Sequence, residues 1–307
     1  MPRDEAAPLL TGVVVHWRNE TELAELIASW PRDARFELLV VDNSATAEVP
    51  PAVRTLRPPR NLGFGGGANA GIAAARAPWV LLLNPDVTVS LAGLEALLAA
   101  GERFPEAAGI VPRLLSPTGV PQTGWQLRRL PSLFSLLLQA FPGYRAGAPG
   151  REPAAGEAIE QPAAAALLLR KSAFTALGGF DEGFFPAWFE DVDLAARLRA
   201  IGLSLRYWPA ATFVHRLGST VPRLGYGPFL DCYYANLLRY LGKHHGRGWI
   251  APARAAIAAG AVLRLLALPL RRPARATSRR DAFSGLLALL RSTLGGRRSP
   301  QAQGAPG

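Results

Sequence analysis

Trp79-Val80-Leu81-Leu82-Leu83 is an unbroken apolar run that ends at Asn84-Pro85-Asp86. Five apolar residues without alternation read as a strand buried on both faces, the kind found in sheets covered by helices on each side. Residues 11–15 and 36–41 read as two more such strands. Leu23, Leu26 and Ile27 between them have helical spacing, with Trp30 and Pro31 at the exit, so this stretch is a βαβ unit. A weaker strand over 53–57, a glycine-rich turn and a helix over 68–75 lead into the Trp79 run. An apolar helix over 90–104 follows, then a short strand from Ile110, a turn at Ser116-Pro117-Thr118-Gly119 between antiparallel pieces, and renewed apolar character over 163–169. The alternation predicts an α/β fold with a mostly parallel central sheet flanked by helices. Ligands of open α/β sheets bind at the C-terminal ends of the strands, which is where Asp86 stands.

Of 307 residues, 49% are hydrophobic, enough for one or two domains with a sizeable core. The single cysteine, Cys232, excludes an internal disulfide and a cysteine-based zinc cluster, and it fits a reducing compartment. The opening Met1-Pro2-Arg3-Asp4-Glu5 carries no charged-then-apolar signal pattern. The net charge of +11 is uneven: from Arg239 onward there are thirteen Lys and Arg residues against one acid, Asp281. Only Lys171 and Lys243 are lysines, a bias that fits genomic base composition as well as selection for bidentate contacts. Residues 1–245 are therefore expected to form the main domain, 246–296 an amphipathic, basic helical segment, and 297–307 a disordered tail. Residues 142–157, rich in Gly, Pro and Ala, read as a mobile loop. The apolar stretch 249–270 carries Arg254 and Arg264, and its uninterrupted part, 255–263, is shorter than the ~20 residues that span a bilayer. Two readings remain: a helix lying on an anionic membrane surface, with Arg271, Arg272, Arg275, Arg279 and Arg280 toward the headgroups, or a packed helix with a solvated basic tail. No nucleic-acid reader module accompanies the arginines, so no nucleic acid partner is expected.

Several motifs carry chemistry. Asp42 closes the second strand in Val40-Val41-Asp42-Asn43-Ser44, placed either to accept the N3–H of a pyrimidine or to cap the next turn. Arg60-Asn61-Leu62-Gly63-Phe64-Gly65-Gly66-Gly67-Ala68-Asn69 holds glycines that let backbone approach phosphate. Gly63, Gly65 and Ala68 also satisfy G-x-G-x-x-A, with Asp86 eighteen residues later, so an NAD(P)-dependent oxidoreductase is one alternative. Against it, Pro58-Pro59 separates a short strand from the glycines, and this is the second βαβ turn rather than the first. Asp86 suits either a hard divalent cation or a helix N-cap. Glu190-Asp191-Val192-Asp193 lies between aromatic residues (Phe184, Phe185, Trp188, Phe189) and a helical pattern (Leu194, Leu198, Ile201). The helix dipole alone favours acids there. Aromatic surroundings also exclude water and raise a carboxyl pKa, which suits a general base. His215, one of four histidines, is either structural or a metal ligand.

These motifs together resemble the family-2 inverting glycosyltransferases of the GT-A fold, in the style of the bacterial rhamnosyltransferase group, over residues 10–245. The resemblance rests on Val40-Val41-Asp42-Asn43-Ser44, Asn61-Leu62-Gly63-Phe64-Gly65 with Asn69, Leu83-Asn84-Pro85-Asp86, Gly178-Gly179-Phe180-Asp181-Glu182 with Phe185, Glu190-Asp191-Val192-Asp193-Leu194 with Arg197 and Gly202, and His215 with Gly218-Ser219. It implies a small antiparallel acceptor-side part beside the parallel sheet. It also implies a nucleoside diphosphate sugar donor, dTDP-rhamnose being the commonest of the subgroup, a glycan or lipid-linked acceptor, and a Mg²⁺ or Mn²⁺ ion. The expected place of work is the cytoplasm or the inner face of the plasma membrane. By the same resemblance Asp42 contacts the base, and Arg60, Asn61, Gly63, Asn69 and Asn84 line the nucleotide-sugar pocket. Asp86 binds metal with help from His215, and Asp191 is the general base beside Glu190. Three features depart from the family pattern: Asn84 replaces the first acid of the DxD motif, 161–166 (Gln-Pro-Ala-Ala-Ala-Ala) lacks the usual acceptor-side residues, and His16-Trp17 follows the first strand. A non-catalytic membrane-associated scaffold of the same fold is the last alternative, and it leaves the paired acidic clusters without a role.

Overall fold

The computed structural model describes residues 7–144, 151–217 and 223–295. The expected tail 297–307, the Gly218-Ser219 pair and part of the expected mobile loop lie outside them. The chain divides into two compact units. The first comprises Met1–Leu130, Ala148–Glu182 and Asp191–Leu217, the second Pro131–Gly147, Gly183–Glu190 and Gly218–Gly307.

The first unit is built on a nine-stranded sheet. Its strands are β1 (Leu10–His16), β2 (Phe36–Asp42), β3 (Arg54–Leu56), β4 (Trp79–Leu83), β5 (Val87–Thr88) and β6 (Gly109–Leu115), with β8 (Ala158–Ile159), β10 (Ala166–Arg170) and β11 (Leu205–His215). Along the sheet the order is β3-β2-β1-β4-β10-β6-β11-β5, with β8 paired to β11. Strands β3, β2, β1 and β4 run parallel, whereas β10 is antiparallel to both β4 and β6. β7 (Leu127–Arg128) and β9 (Gln161–Pro162) form a separate antiparallel pair. All five side chains of β4 are buried, as an unalternated apolar run requires. Register places His16 opposite Asp42 and Val14 opposite Leu83, so β1, β2 and β4 end along one edge.

Helix α1 (Glu20–Ser29) buries Leu23 and Leu26, and α3 (Leu91–Arg103) is capped by the Ser90 side chain accepting from the Gly93 amide. Helix α2 (Gly63–Ala74) differs from expectation. It starts five residues early and absorbs the whole glycine run as its first turns. Each glycine costs about 1 kcal/mol of helix propensity relative to alanine, and close packing on the sheet offsets that. A Cβ on Gly67 would sit 2.8 Å from Val15 Cγ1, and one on Gly71 would overlap Val13 and Val41. Gly67 and Gly71 thus admit a helix close to β1. β6 is longer than the short strand expected, because Pro112 and Arg113 do not end it. Residues 151–157 are packed rather than loose: Glu152 accepts from Arg113 Nε and from the Tyr207 hydroxyl, both at 2.6 Å, and the Gly156 amide donates to Tyr207 O at 2.7 Å.

The second unit is helical. Helices Tyr226–His244 and Arg279–Leu294 cross so closely that a Cβ on Gly285 would lie 3.0 Å from the Gly227 Cα. The helix Ile250–Ala267 is long and apolar enough to cross a membrane within Arg247–Ala267, a longer apolar span than the sequence reading allowed. In the same unit, Asn236 donates to the carbonyls of Phe185 (3.3 Å) and Ala187 (2.8 Å). Trp188 and Phe189 both adopt left-handed φ angles, 76° and 73°. Such angles are costly for bulky residues and persist only where packing over-determines them. Here Trp188 packs edge-on to Phe229, and Phe189 lies against Tyr233 and Tyr240.

Candidate active site

The edge where β1, β2 and β4 end collects the acids singled out in the sequence. Asp86 follows β4 by three residues and is 7% exposed. The turn that carries it is fixed from two sides: the Asn84 amide donates to Ala165 O at 2.8 Å, and the Val87 amide to Asn84 O at 3.2 Å. β10 runs antiparallel to β4, so the residues just before it, Ala164 and Ala165, also lie at this edge. The Ala164 amide donates to Asp191 Oδ2 at 3.3 Å, and the Val192 amide to Asp191 Oδ1 at 2.8 Å. The two distant acids thus stand at one sheet edge, connected through the backbone of Asn84, Ala165 and Ala164. Burial, the largest influence, raises the pKa of Asp191 above the ordinary carboxylate value; the Val192 amide, the charge of Arg128 and the Ala164 amide only partly offset it.

Asp191 is the second residue of the helix Glu190–Ala200, and Glu190 is buried. Asp193 is also buried but committed elsewhere: Arg197 donates to it at 2.7 Å and to the carbonyls of Leu177 and Gly179, tying the helix to the Gly178-Gly179 turn. Of the acids in this cluster that belong to the sheet unit, Asp191 alone faces the β4 end.

His215 ends β11 with its ring buried and Nε2 3.3 Å from Asp86 Oδ1. Gln122, a residue with no sequence signal, fixes its tautomer. Gln122 Nε2 donates to the His215 carbonyl at 2.7 Å, so Oε1 must face the ring, 2.8 Å from Nδ1. An amide oxygen only accepts, hence Nδ1 carries the proton and Nε2 turns toward Asp86. Trp125 packs on the same ring at 4.9 Å. A neutral imidazole nitrogen and a carboxylate oxygen both offer electron pairs, so a cation or a proton belongs between them. Among the described residues, no three His, Cys, Asp or Glu side chains gather as a metal cage.

The glycosyl transferase family 2 profile matches residues 13–149. The N-acetylglucosaminyl-diphospho-decaprenol L-rhamnosyltransferase of Mycobacterium tuberculosis is 31% identical over 243 residues, 71% of this chain and 78% of that protein. The chain belongs to glycosyl transferase family 2. Two solved glycosyltransferase structures share the fold. GalNAc-T7 with UDP, GalNAc and Mn²⁺ matches at a TM-score of 0.55 and 17% identity, over 78% of this chain and 48% of that one. The mannosyltransferase PcManGT of Pyrobaculum calidifontis, with GDP-Man and Mn²⁺, matches at 0.52 and 13%, over 95% and 89%. The fold is therefore GT-A and the chain is a glycosyltransferase. Family membership, and the burial of Gly63, Gly65 and Gly67 within α2, set aside the oxidoreductase alternative.

The remaining candidate residues of this glycosyltransferase divide by what they already hold. Asp42, 1% exposed, accepts from the amides of Ser44 (3.2 Å) and Ala47 (3.0 Å), with Arg57 Nε at 3.5 Å. Burial pushes its pKa up, but the Ala47 and Ser44 amides and nearby His16 outweigh that and the net shift is downward. Asp42 is thus the organiser of the turn after β2, as its capping reading anticipated. Asn43 ties that turn to α2, donating to Gly63 O at 2.9 Å and accepting from the Leu62 amide. Asn61 accepts from the Gly63 amide at 2.8 Å. Asn69 makes both backbone hydrogen bonds to Phe180 and reaches Glu182 at 3.1 Å, so its amide secures the turn before the acidic cluster. Arg60 is exposed and Asn84 half-buried beside Asp86.

Proposed function

We propose that this enzyme transfers a sugar from a nucleoside diphosphate donor to the hydroxyl of a lipid-linked glycan by direct displacement at the anomeric carbon. The observation that carries the reading is the placement of Asp191 and Asp86 at one sheet edge. In the step, the acceptor oxygen forms a bond to the anomeric carbon while the bond from that carbon to the diphosphate oxygen breaks. Asp191 takes the hydroxyl proton, and the electron pair of the broken bond leaves on the diphosphate. Burial raises its pKa, which makes the Asp191 carboxylate a stronger base than a free one. Inversion at the carbon follows from a single displacement.

Asp86 and His215 fit a divalent cation. Their facing oxygen and nitrogen lie 3.3 Å apart, and the Gln122-fixed tautomer leaves Nε2 as a ligand atom. Such an ion, Mg²⁺ or Mn²⁺, supplies charge neutralisation of the departing diphosphate when bound. Among the described residues these two would be the protein ligands, and substrate phosphate oxygens would complete the set, as is usual for magnesium sites. Arg60, Asn61, Gly63 and Asn84 border the donor. Asp42 shapes the base-binding turn and Asn69 holds the acceptor-side turn.

The sugar proposed first is L-rhamnose and the acceptor a polyprenyl-diphosphate-linked amino sugar, because the M. tuberculosis relative is named as an L-rhamnosyltransferase of N-acetylglucosaminyl-diphospho-decaprenol; dTDP is taken as the nucleotide because dTDP-rhamnose is the donor the resemblance implies. Such an acceptor places the enzyme at the cytoplasmic face of a membrane. A thermal-shift panel of dTDP-rhamnose, UDP-glucose, UDP-GlcNAc and GDP-mannose, each with and without Mn²⁺, tests the donor. A Mn²⁺-dependent shift with a dTDP or UDP sugar is expected. No shift with any nucleotide sugar, in either condition, would overturn the reading.

A further inference from the structure

The helix Ile250–Ala267 packs into its own unit through Ala253, Ile257, Gly260 and Ala261. Gly260 sits so near Ala140 that a Cβ there would overlap the Ala140 carbonyl, and Arg264 turns inward to donate to that same oxygen. Arg264, one of the two arginines that interrupt the apolar stretch in sequence, is therefore absent from the outer face, and the other, Arg254, is half-buried. That face carries Ala255, Ala259, Val262, Leu263, Leu266 and, just past the helix, Leu270, a single stripe by helical spacing. Val262 and Leu263 are 43% and 44% exposed, Leu266 72% and Leu270 89%. Only 22% of the apolar window is buried, so this is not a core helix. Contiguous aliphatic exposure on this scale marks an interaction surface.

The charges beside the stripe decide what covers it. Arg271, Arg272, Arg279 and Arg280 follow directly and are all exposed. The one nearby acid, Asp281, is engaged in capping, accepting from the Thr277 amide and hydroxyl. A second copy of this chain would bring arginine against arginine across a two-fold axis. An anionic bilayer instead offers acyl chains to the leucines and phosphates to the arginines. The helix's other face is used in packing, so it lies in the interface rather than crossing it. We infer that this stripe and its arginines seat the protein on an anionic lipid surface, leucines inserted and guanidiniums at headgroup level. The inference stands on the helical unit alone and does not depend on the donor, acceptor or metal assigned above.

Flotation of the full chain with phosphatidylcholine vesicles, with and without phosphatidylglycerol, tests it. Binding is expected to require the anionic lipid and to fall in 0.5 M salt. The double variant Leu266→Asp/Leu270→Asp should partition at least about tenfold less, and Arg271→Ser/Arg280→Ser about tenfold less. All four positions are exposed, so circular dichroism should match the parent. Equal partition of the leucine variant, or binding indifferent to phosphatidylglycerol, would overturn the inference. So would sedimentation showing a dimer that the leucine variant abolishes, with no vesicle binding by the parent.

Discussion

Gln122→Ala removes both hydrogen bonds that hold His215 without touching any proposed ligand. The His215 carbonyl and Nδ1–H, in a residue 1% exposed, lose their partners at 2.7 and 2.8 Å. Each buried group left unsatisfied costs about 1–3 kcal/mol, so the fold should lose about 2–6 kcal/mol in all. Loss of the group that orients a metal-binding histidine typically weakens metal affinity about 10–100-fold, or about 1.4–2.7 kcal/mol. Gln126→Ala is the matched control. Gln126 is also buried and its side chain also makes two hydrogen bonds, to Pro112 O and from the Leu114 amide, neither of them to His215. Mn²⁺ titrations followed by electron paramagnetic resonance, with dTDP present, should show weakened binding in Gln122→Ala alone, while calorimetry shows both variants destabilised. Unchanged Mn²⁺ affinity in Gln122→Ala, or an equal loss in Gln126→Ala, would refute the argument that Gln122 sets the ligand atom.

Two further outcomes follow from packing and from protonation. Gly67→Ala should cost about 1–3 kcal/mol in urea unfolding, because its Cβ would press on Val15 at 2.8 Å and Asn43 at 3.1 Å; a neutral substitution would remove the close-packing role of the α2 glycines. Asp191 has a raised pKa in the folded enzyme, so any stability it contributes is present below its unfolded value, about 3.9, and is lost as pH rises through the folded value. Removing the titrating group should therefore flatten this dependence, so the melting temperature of Asp191→Asn should fall less than the parent's as pH rises from acid to alkaline. The same pH dependence in variant and parent would contradict this.

What the sequence revealed, and what it hid, follows from the range of each interaction. Strands β1, β2 and β4 were legible because burial on both faces leaves an unbroken apolar run, a local property. Asp86 and Asp191 were legible because each stands at the boundary of such a local element. The start of α2 was not: Gly63, Gly65, Gly66 and Gly67 read as a turn by propensity, and it is close packing such as that of Gly67 on Val15 that admits them to a helix. The 151–157 segment looked loose by composition, yet Glu152 is held by Tyr207, 55 residues away. Gln122 meets His215 across 93 residues, and no pattern in a single chain marks such a pair. Arg264 read as a break in an apolar helix because the sequence does not say that its guanidinium turns inward to Ala140.

The central claim is a division of labour between two acids on one edge, Asp86 toward diphosphate and Asp191 toward the acceptor hydroxyl. Single-turnover transfer and equilibrium donor binding, measured side by side in Asp191→Asn and Asp86→Asn with Mn²⁺ present, test it most directly. Asp191→Asn should hold donor affinity within about twofold while transfer falls about 10²–10⁴-fold, and Asp86→Asn should lose donor affinity itself. Full transfer by Asp191→Asn, or undiminished Mn²⁺-dependent donor binding by Asp86→Asn, would contradict the account.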